Sequence, residues 1–209
     1  MGGRIHGAND QIIAAGQGMV PHVRKSVPLK HLYSMFRSFT AETDMRRDDG
    51  NVDVKTLMRD IAADANRFRE IESLTGKSRF DTFLRRLHVI DVSVFHPLIL
   101  WIMGRSGSNA ADRDKFGEAL ESYLVQRMVA GRQTRGYGMV ALQLLDHMAN
   151  LSPDELAAPY IIAALTSLEG RAIAWPDDNE FRTQWTQRRF YGQLRRNRLV
   201  MILRAIEER

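Results

Sequence analysis

Two short stretches concentrate the side chains best suited to holding an anion. In LESYLVQRMVAGRQTRGYGMV, residues 120–140, Arg127, Arg132 and Arg135 lie among glycines and tyrosines, and no acid occurs between Glu121 and Asp146. In RRFYGQLRRNR, residues 188–198, Arg188, Arg189, Arg195, Arg196 and Arg198 surround Phe190 and Tyr191. Seven arginines and no acid occur from Arg182 to Arg204. A guanidinium presents a planar fork of N–H donors that fits phosphate oxygens, and aromatic neighbours offer faces on which bases stack. These eight arginines are the candidate nucleic-acid-binding residues. Each stretch also has a plainer explanation. Gly131 suits a helix C-cap, and cations near a helix C-terminus gain roughly 0.3–1 kcal/mol each from the macrodipole, which suffices for the first three. For the second stretch, the competing reading is a linker helix whose arginines pair with acids on a neighbouring domain.

Other chemistry finds no constellation. Zero cysteines exclude disulfides, thiolate metal sites and a cysteine nucleophile. His147 and Asn150 occur as HMAN on one helix without a second histidine nearby, so His147 reads as a surface or core-edge residue. His6, His22, His31, His88 and His96 lack the one-turn spacing of a helical metal site, and His88 and His96, which flank a loop, read as two structural histidines. Asp44, Asp48 and Asp49 sit in a charged turn with arginines and a glycine, which favours a solvated turn over a Mg²⁺ site. GRSGSNA, residues 104–110, lacks the lysine and the spacing of a phosphate loop. The sequence therefore assigns no catalytic residue, no metal ligand and no cofactor.

The composition sets the frame for these residues. At 209 residues, 44% hydrophobic and 26% charged, the chain resembles an ordinary globular protein long enough to bury a sizeable core. The formal charge is only +5, yet 25 of the 30 basic residues are arginine. That bias fits a nucleic-acid partner, and fits better still the Ala- and Arg-rich usage common in GC-rich bacterial genomes. The longest uncharged apolar run, VSVFHPLILWIM at residues 92–103, is too short to span a bilayer, and the N-terminus carries neither a secretory nor a myristoylation signal. No membrane association and a cytoplasmic location are the expectation.

The elements that must position the arginines are helical throughout. The pattern predicts an all-α fold, an irregular multi-helix bundle of about eight helices, with a flexible Gly-rich arm over 1–28 and a single helical domain over 29–209. Leu29, Leu32, Tyr33, Phe36 and Phe39 have helical spacing, as do Val54, Leu57, Met58, Ile61, Ala65 and Phe68. A helix after Gly76 buries Phe80, Phe83, Leu84 and Leu87. Pro97 opens a short helix that is apolar all round and hence central, with Trp101 buried. Helices follow from about Asp112 to Ala130, with Phe116, Leu120, Tyr123 and Leu124 inward, and from Tyr137 to Met148. Two capping boxes, Ser152 to Glu155 and Asp177 to Glu180, announce the next two helix starts, the first with Pro153 at the first helical position. The last segment keeps helical spacing through Leu199, Ile202, Leu203 and Ile206 and reaches Arg209 without a stop signal, which suggests a fragment of a longer protein.

The succession HPLILWIM, LESYLVQRMVAGRQTRGYG, WPDDNEF and RLVMILRAIEE resembles the helical middle region of the GmrSD-type, type IV modification-dependent restriction endonucleases and their anti-phage relatives. The resemblance runs from about Leu29 to Arg209, and its most specific part is Glu121 to Arg127 followed by Gly131. The family departs from this chain at Gln126-Arg127, where paired arginines are expected, and at Arg135, where an Asn is more usual. Members carry a ParB-like nucleotide-hydrolysing domain with a DGQQR motif before this region and an HNH nuclease domain after it. Neither motif occurs in this chain. The resemblance thus implies a non-catalytic scaffold that joins the sensor and nuclease domains of a DNA-restriction protein, with contact to DNA as a second role. The alternative is a free-standing helical nucleic-acid-binding or regulatory protein in which the Arg-rich segment carries the function. An enzyme with an unfamiliar site ranks third, because no acid, base and nucleophile are gathered.

Overall fold

The computed structural model describes residues 54–73 and 75–208. The arm expected at 1–28, the helix expected from Leu29 to Phe39, His6, His22, His31 and the carboxylates Asp44, Asp48 and Asp49 lie outside the described residues. Among the described residues eight α-helices follow one another: α1 (Val54–Ser73), α2 (Arg79–Ile90), α3 (His96–Gly104), α4 (Ala110–Val129), α5 (Tyr137–Ala149), α6 (Ala157–Thr166), α7 (Asp178–Gln187) and α8 (Arg196–Glu207). A 3₁₀ turn at Ser93–Phe95 leads into α3. Among the described residues there is no strand, so the all-α multi-helix fold expected from the spacing is the fold observed. None of these helices is long and apolar enough to cross a membrane.

The bundle is organised around α4. This helix packs against α2, α6 and α7, while α3 lies between α1 and α5, and α8 rests on α2. Phe116, Leu120, Tyr123 and Leu124 are fully buried on α4, as their three-and-four spacing requires. Gly117 permits the closest approach: a Cβ there would meet Phe83 at 2.9 Å and Phe80 at 3.2 Å, so the α2 rings lie directly on the α4 backbone.

Polar groups on α4 also finish its neighbours. The first amides of a helix have no intrahelical acceptor, and inside a bundle water cannot supply one. Asp112, 3% exposed, accepts from the Ala157 amide at 3.1 Å and the Ala158 amide at 2.9 Å. It caps α6 from another helix and places a carboxylate at the positive end of the α6 dipole. Asp114 accepts from the Phe80 amide at 2.9 Å and does the same for α2, beside the local capping box of Ser78 and Asp81. Arg86 on α2 meets Glu121 at 2.7 Å with both side chains largely sheltered.

Two expectations need correction. Only half of the capping box at Ser152 forms: the Ser152 amide donates to the Glu155 carboxylate at 2.7 Å, but the Glu155 amide donates to the Ser152 carbonyl at 3.0 Å, which closes only a turn. Pro153 therefore stands outside the helix; α6 starts at Ala157, has no side-chain cap of its own at Leu156, and takes Asp112 instead. Trp101 is half-buried, not enclosed: the neighbouring Leu98, Ile99, Leu100 and Ile102 are buried, while Trp101 carries the Arg105 guanidinium 5.0 Å over its ring. The helix expected of the last segment forms as α8, in which the buried residues are Met201 and Ile202 while Leu203 and Ile206 face outward.

His96 opens α3 against the Phe68 ring, edge to face at 5.6 Å, and its Nδ1 is buried without a hydrogen-bond partner. Burial lowers its pKa from 6.5, against a smaller upward pull from Glu72. The unfolded chain then binds a proton before the folded one does, so stability rises with pH across the interval below 6.5 and is lost as pH falls through it. The urea midpoint is expected to drop between pH 7.5 and pH 5.5 more steeply in the wild type than in His96→Gln. Asp112→Ala leaves two buried amides without an acceptor and is expected to cost about 2–4 kcal/mol in urea unfolding. The exposed Asp154→Ala should stay within about 0.5 kcal/mol.

Candidate nucleic-acid interface

Arg127 comes from the last turn of α4 and is fully buried. Its Nη1 donates to the Ala174 carbonyl at 2.7 Å, and its Nη2 donates to Ala172 at 2.6 Å and to Gln133 at 3.0 Å. The guanidinium lies 5.4 Å from the ring centres of both Tyr123 and Tyr137. Carbonyl dipoles and two π faces thus stabilise the charge in place of a carboxylate. The Tyr123 hydroxyl donates to the Ile173 carbonyl at 2.8 Å, and the Trp175 indole N–H donates to Gln126 at 2.8 Å. Burial pushes the Tyr123 and Tyr137 pKa values up, opposed by the Arg127 charge, so both hydroxyls stay protonated and able to donate. The result is a clasp: the strandless connection from Gly170 to Trp175 is fastened to α4 through its own carbonyls.

The end of α4 is finished by a second arginine. Gly131 has φ 69°, its amide donates to Met128 at 3.2 Å, and the Arg132 amide donates to Arg127 at 2.8 Å, the paired bonds of a Schellman motif. Arg188, from the far side of α7, then donates through Nη1 to the Met128 and Val129 carbonyls at 2.8 and 2.7 Å. A Cβ on residue 131 would meet that guanidinium at 3.0 Å, so the glycine serves both the turn and the approach of Arg188. Arg132 places Nη2 on both oxygens of Glu180, at 2.6 and 2.8 Å. Asp177 caps α7 as expected, accepting from the Glu180 amide at 2.7 Å, while the Glu180 carboxylate is engaged by Arg132.

The remaining arginines divide in the same way. Arg198 donates to the Ile90 carbonyl at the end of α2, next to Asp91, whose φ of 62° ends that helix. Arg195 and Asp91 pair loosely at 3.5 Å with both side chains about 70% exposed, a geometry that contributes little to stability. Arg135, Arg189 and Arg196 are exposed. Four of the eight candidates, Arg127, Arg132, Arg188 and Arg198, therefore direct donors into the protein, and Arg135, Arg189, Arg195 and Arg196 face solvent. Arg105 and Arg85, which the sequence did not single out, belong to the first kind. Arg105 donates to the Leu151, Ser152 and Glu155 carbonyls, and Arg85 to Gly76.

Between α7 and α8 the exposed cations gather around one turn. Arg188 Nε donates to the Gln193 side chain at 2.8 Å, the Gln193 and Leu194 amides donate to Phe190 at 3.1 and 3.0 Å, and Gly192 has φ 81°. Phe190 packs against Trp185 at 5.0 Å, and Trp185 stacks on Phe181 at 6.2 Å, so these rings belong to the protein. Tyr191 is 92% exposed at the tip. The sequence paired Phe190 with Tyr191; the structure separates an anchor from an open ring.

The described histidines, His88, His96 and His147, are not gathered into a metal-holding group. His147 is exposed on α5 and lines, with Gln143, Ser167 and Glu169, a groove of about 390 Å³ beside the end of α6. Among the described residues no group of three His, Asp or Glu side chains is placed to hold a metal ion.

Chemical denaturation should sort the arginines by these contacts. Arg127→Ala orphans three sheltered carbonyls and is expected to cost about 3–5 kcal/mol, with Arg127→Lys recovering little because one ammonium cannot span the fork. Arg189→Gln and Arg196→Gln should each remain within about 0.5 kcal/mol of wild type.

Comparison with known proteins adds no relative to this geometry: no family model, no curated protein and no solved structure matches the chain.

Proposed function

We propose that the chain is a non-catalytic helical scaffold that presents the turn between α7 and α8 to the backbone of a nucleic acid. The observation that carries this reading is the unequal use of the arginines. Arg188 and Arg198 fasten the turn at its two ends, while Arg189, Arg195 and Arg196 project from it with Tyr191, and among the described residues their one ion pair is the exposed contact of Arg195 with Asp91. A cluster of guanidiniums on a fixed frame suits phosphate neutralisation, which positions a partner without reading its sequence.

The wider role proposed is the one the helical segments resemble, a module joining the sensor and nuclease parts of a modification-dependent DNA-restriction protein. In support of a joining role, Val200, Leu203 and Ile206 form an exposed apolar stripe along α8. Their spacing puts them on one helix face, the kind of surface that neighbouring protein covers.

Fluorescence-anisotropy titration of a labelled duplex at several salt concentrations tests the nucleic-acid role. Log K is expected to fall with log salt by roughly 0.9 per phosphate contact. The triple variant Arg189→Gln, Arg195→Gln, Arg196→Gln should lower that slope by about two to three and weaken all sequences alike. No binding at low salt, or a triple variant with the wild-type slope, would remove nucleic acid from the reading.

A further inference from the structure

We infer that the turn between α7 and α8 takes single-stranded nucleic acid, with Tyr191 as a stacking platform for an unpaired base. This rests on the proposed contact with phosphates and adds the form of the strand. Tyr191 is 92% exposed, whereas large aromatic side chains in a folded chain normally bury their faces. The three nearest aromatic rings in sequence, Phe181, Trp185 and Phe190, are packed against one another, so the exposure of Tyr191 is specific to that position.

The ring is also held out by a fixed backbone. Phe190, the preceding residue, is anchored on Trp185, its carbonyl accepts from both Gln193 and Leu194, and Gly192 adopts the positive φ of 81° that closes the turn. Arg188 ties Gln193 to the carbonyl end of α4, which is itself the centre of the bundle. Among the described residues, the chain neighbours Tyr191 and Gln193 aside, nothing lies within 4 Å of the position a Cβ would take on Gly192, so the space beside the tip is open to a flat group. A preorganised platform loses little conformational entropy when a base settles on it.

Arg189 precedes Tyr191 by two residues, and Arg195 and Arg196 follow it after the turn, so cations flank the ring on both sides along the chain. A strand whose phosphates follow these cations brings successive bases past Tyr191. In a duplex the base faces are covered by their neighbours, and the ring has nothing to stack on. An unpaired strand exposes those faces at no cost in unstacking, and stacking is tolerant of sequence because every base has a π face. A protein partner fits this surface less well. The cores of protein interfaces are depleted in charge, and the exposed residues nearest Tyr191 along the chain are Arg189, Gly192, Gln193 and Arg195.

The test compares a fluorescein-labelled 20-nucleotide thymidine strand with a blunt duplex of equal length, by anisotropy at fixed low salt. Wild type is expected to bind the single strand at least tenfold more tightly. Tyr191→Ala should weaken single-strand binding on the order of tenfold to a hundredfold and leave duplex binding within about twofold, while Tyr191→Phe keeps the ring and the affinity. The exposure of Tyr191 makes each variant foldable, which circular dichroism checks. Equal binding of both forms with no effect of Tyr191→Ala overturns the single-strand assignment and leaves the phosphate contact standing. Absence of binding to either form overturns both, and capture of an acidic protein through Tyr191 with no oligonucleotide binding identifies the surface as a protein contact.

Discussion

A helix that ends inside a packed bundle leaves amides and carbonyls that water cannot reach, and the rest of this structure depends on how α4 meets that constraint. At its beginning Asp112 and Asp114 accept from the first amides of α6 and α2. At its end Arg127 donates to the carbonyls of the connection before α7. Carboxylates serve helix starts and guanidiniums serve carbonyl ends because the dipoles of those ends have those signs. One helix therefore fixes the directions of its neighbours through hydrogen bonds, and the apolar contacts fill the space so defined.

Arginine is suited to this work for reasons of shape. Its planar fork reaches two or three carbonyls at once and lies against aromatic rings, as Arg127 does between Tyr123 and Tyr137 and Arg105 does over Trp101. A lysine offers one point charge with a stronger hold on water. The bias toward arginine in this chain is thus partly a structural requirement, and the arginine count by itself says little about a polyanionic partner. What bears on a partner is the subset left facing solvent, together with the rigid turn that carries it.

Periodicity also meets a limit at α8. Its apolar residues recur at helical spacing on more than one face, and only Met201 and Ile202 are buried, toward α2. The pattern identifies a helix correctly, yet it cannot state which of two apolar faces meets the bundle. The half-burial of Trp101 on the almost uniformly apolar α3 has the same origin, since a helix without a polar side carries no mark of its outward direction.

Local chemistry was legible in the sequence. The three-and-four spacing from Phe80 to Leu87 and from Phe116 to Leu124 determined the helices and their buried faces, Gly131 determined the end of α4, and Asp177 the start of α7, because each acts on residues within one or two turns. The two arginine clusters were visible as well. Only the tertiary structure decided what each arginine does. Arg127 and Arg132 are separated by five residues, yet one is enclosed by carbonyls 45 to 47 residues away and the other pairs with Glu180, 48 residues away. The capping of α6 by Asp112 spans a similar distance, while the half-formed box at Ser152 closes only a turn before the helix start. A charge on a helix states its sign in the sequence; whether its partner is solvent, a carbonyl or a phosphate depends on which distant backbone ends the fold brings within hydrogen-bond reach.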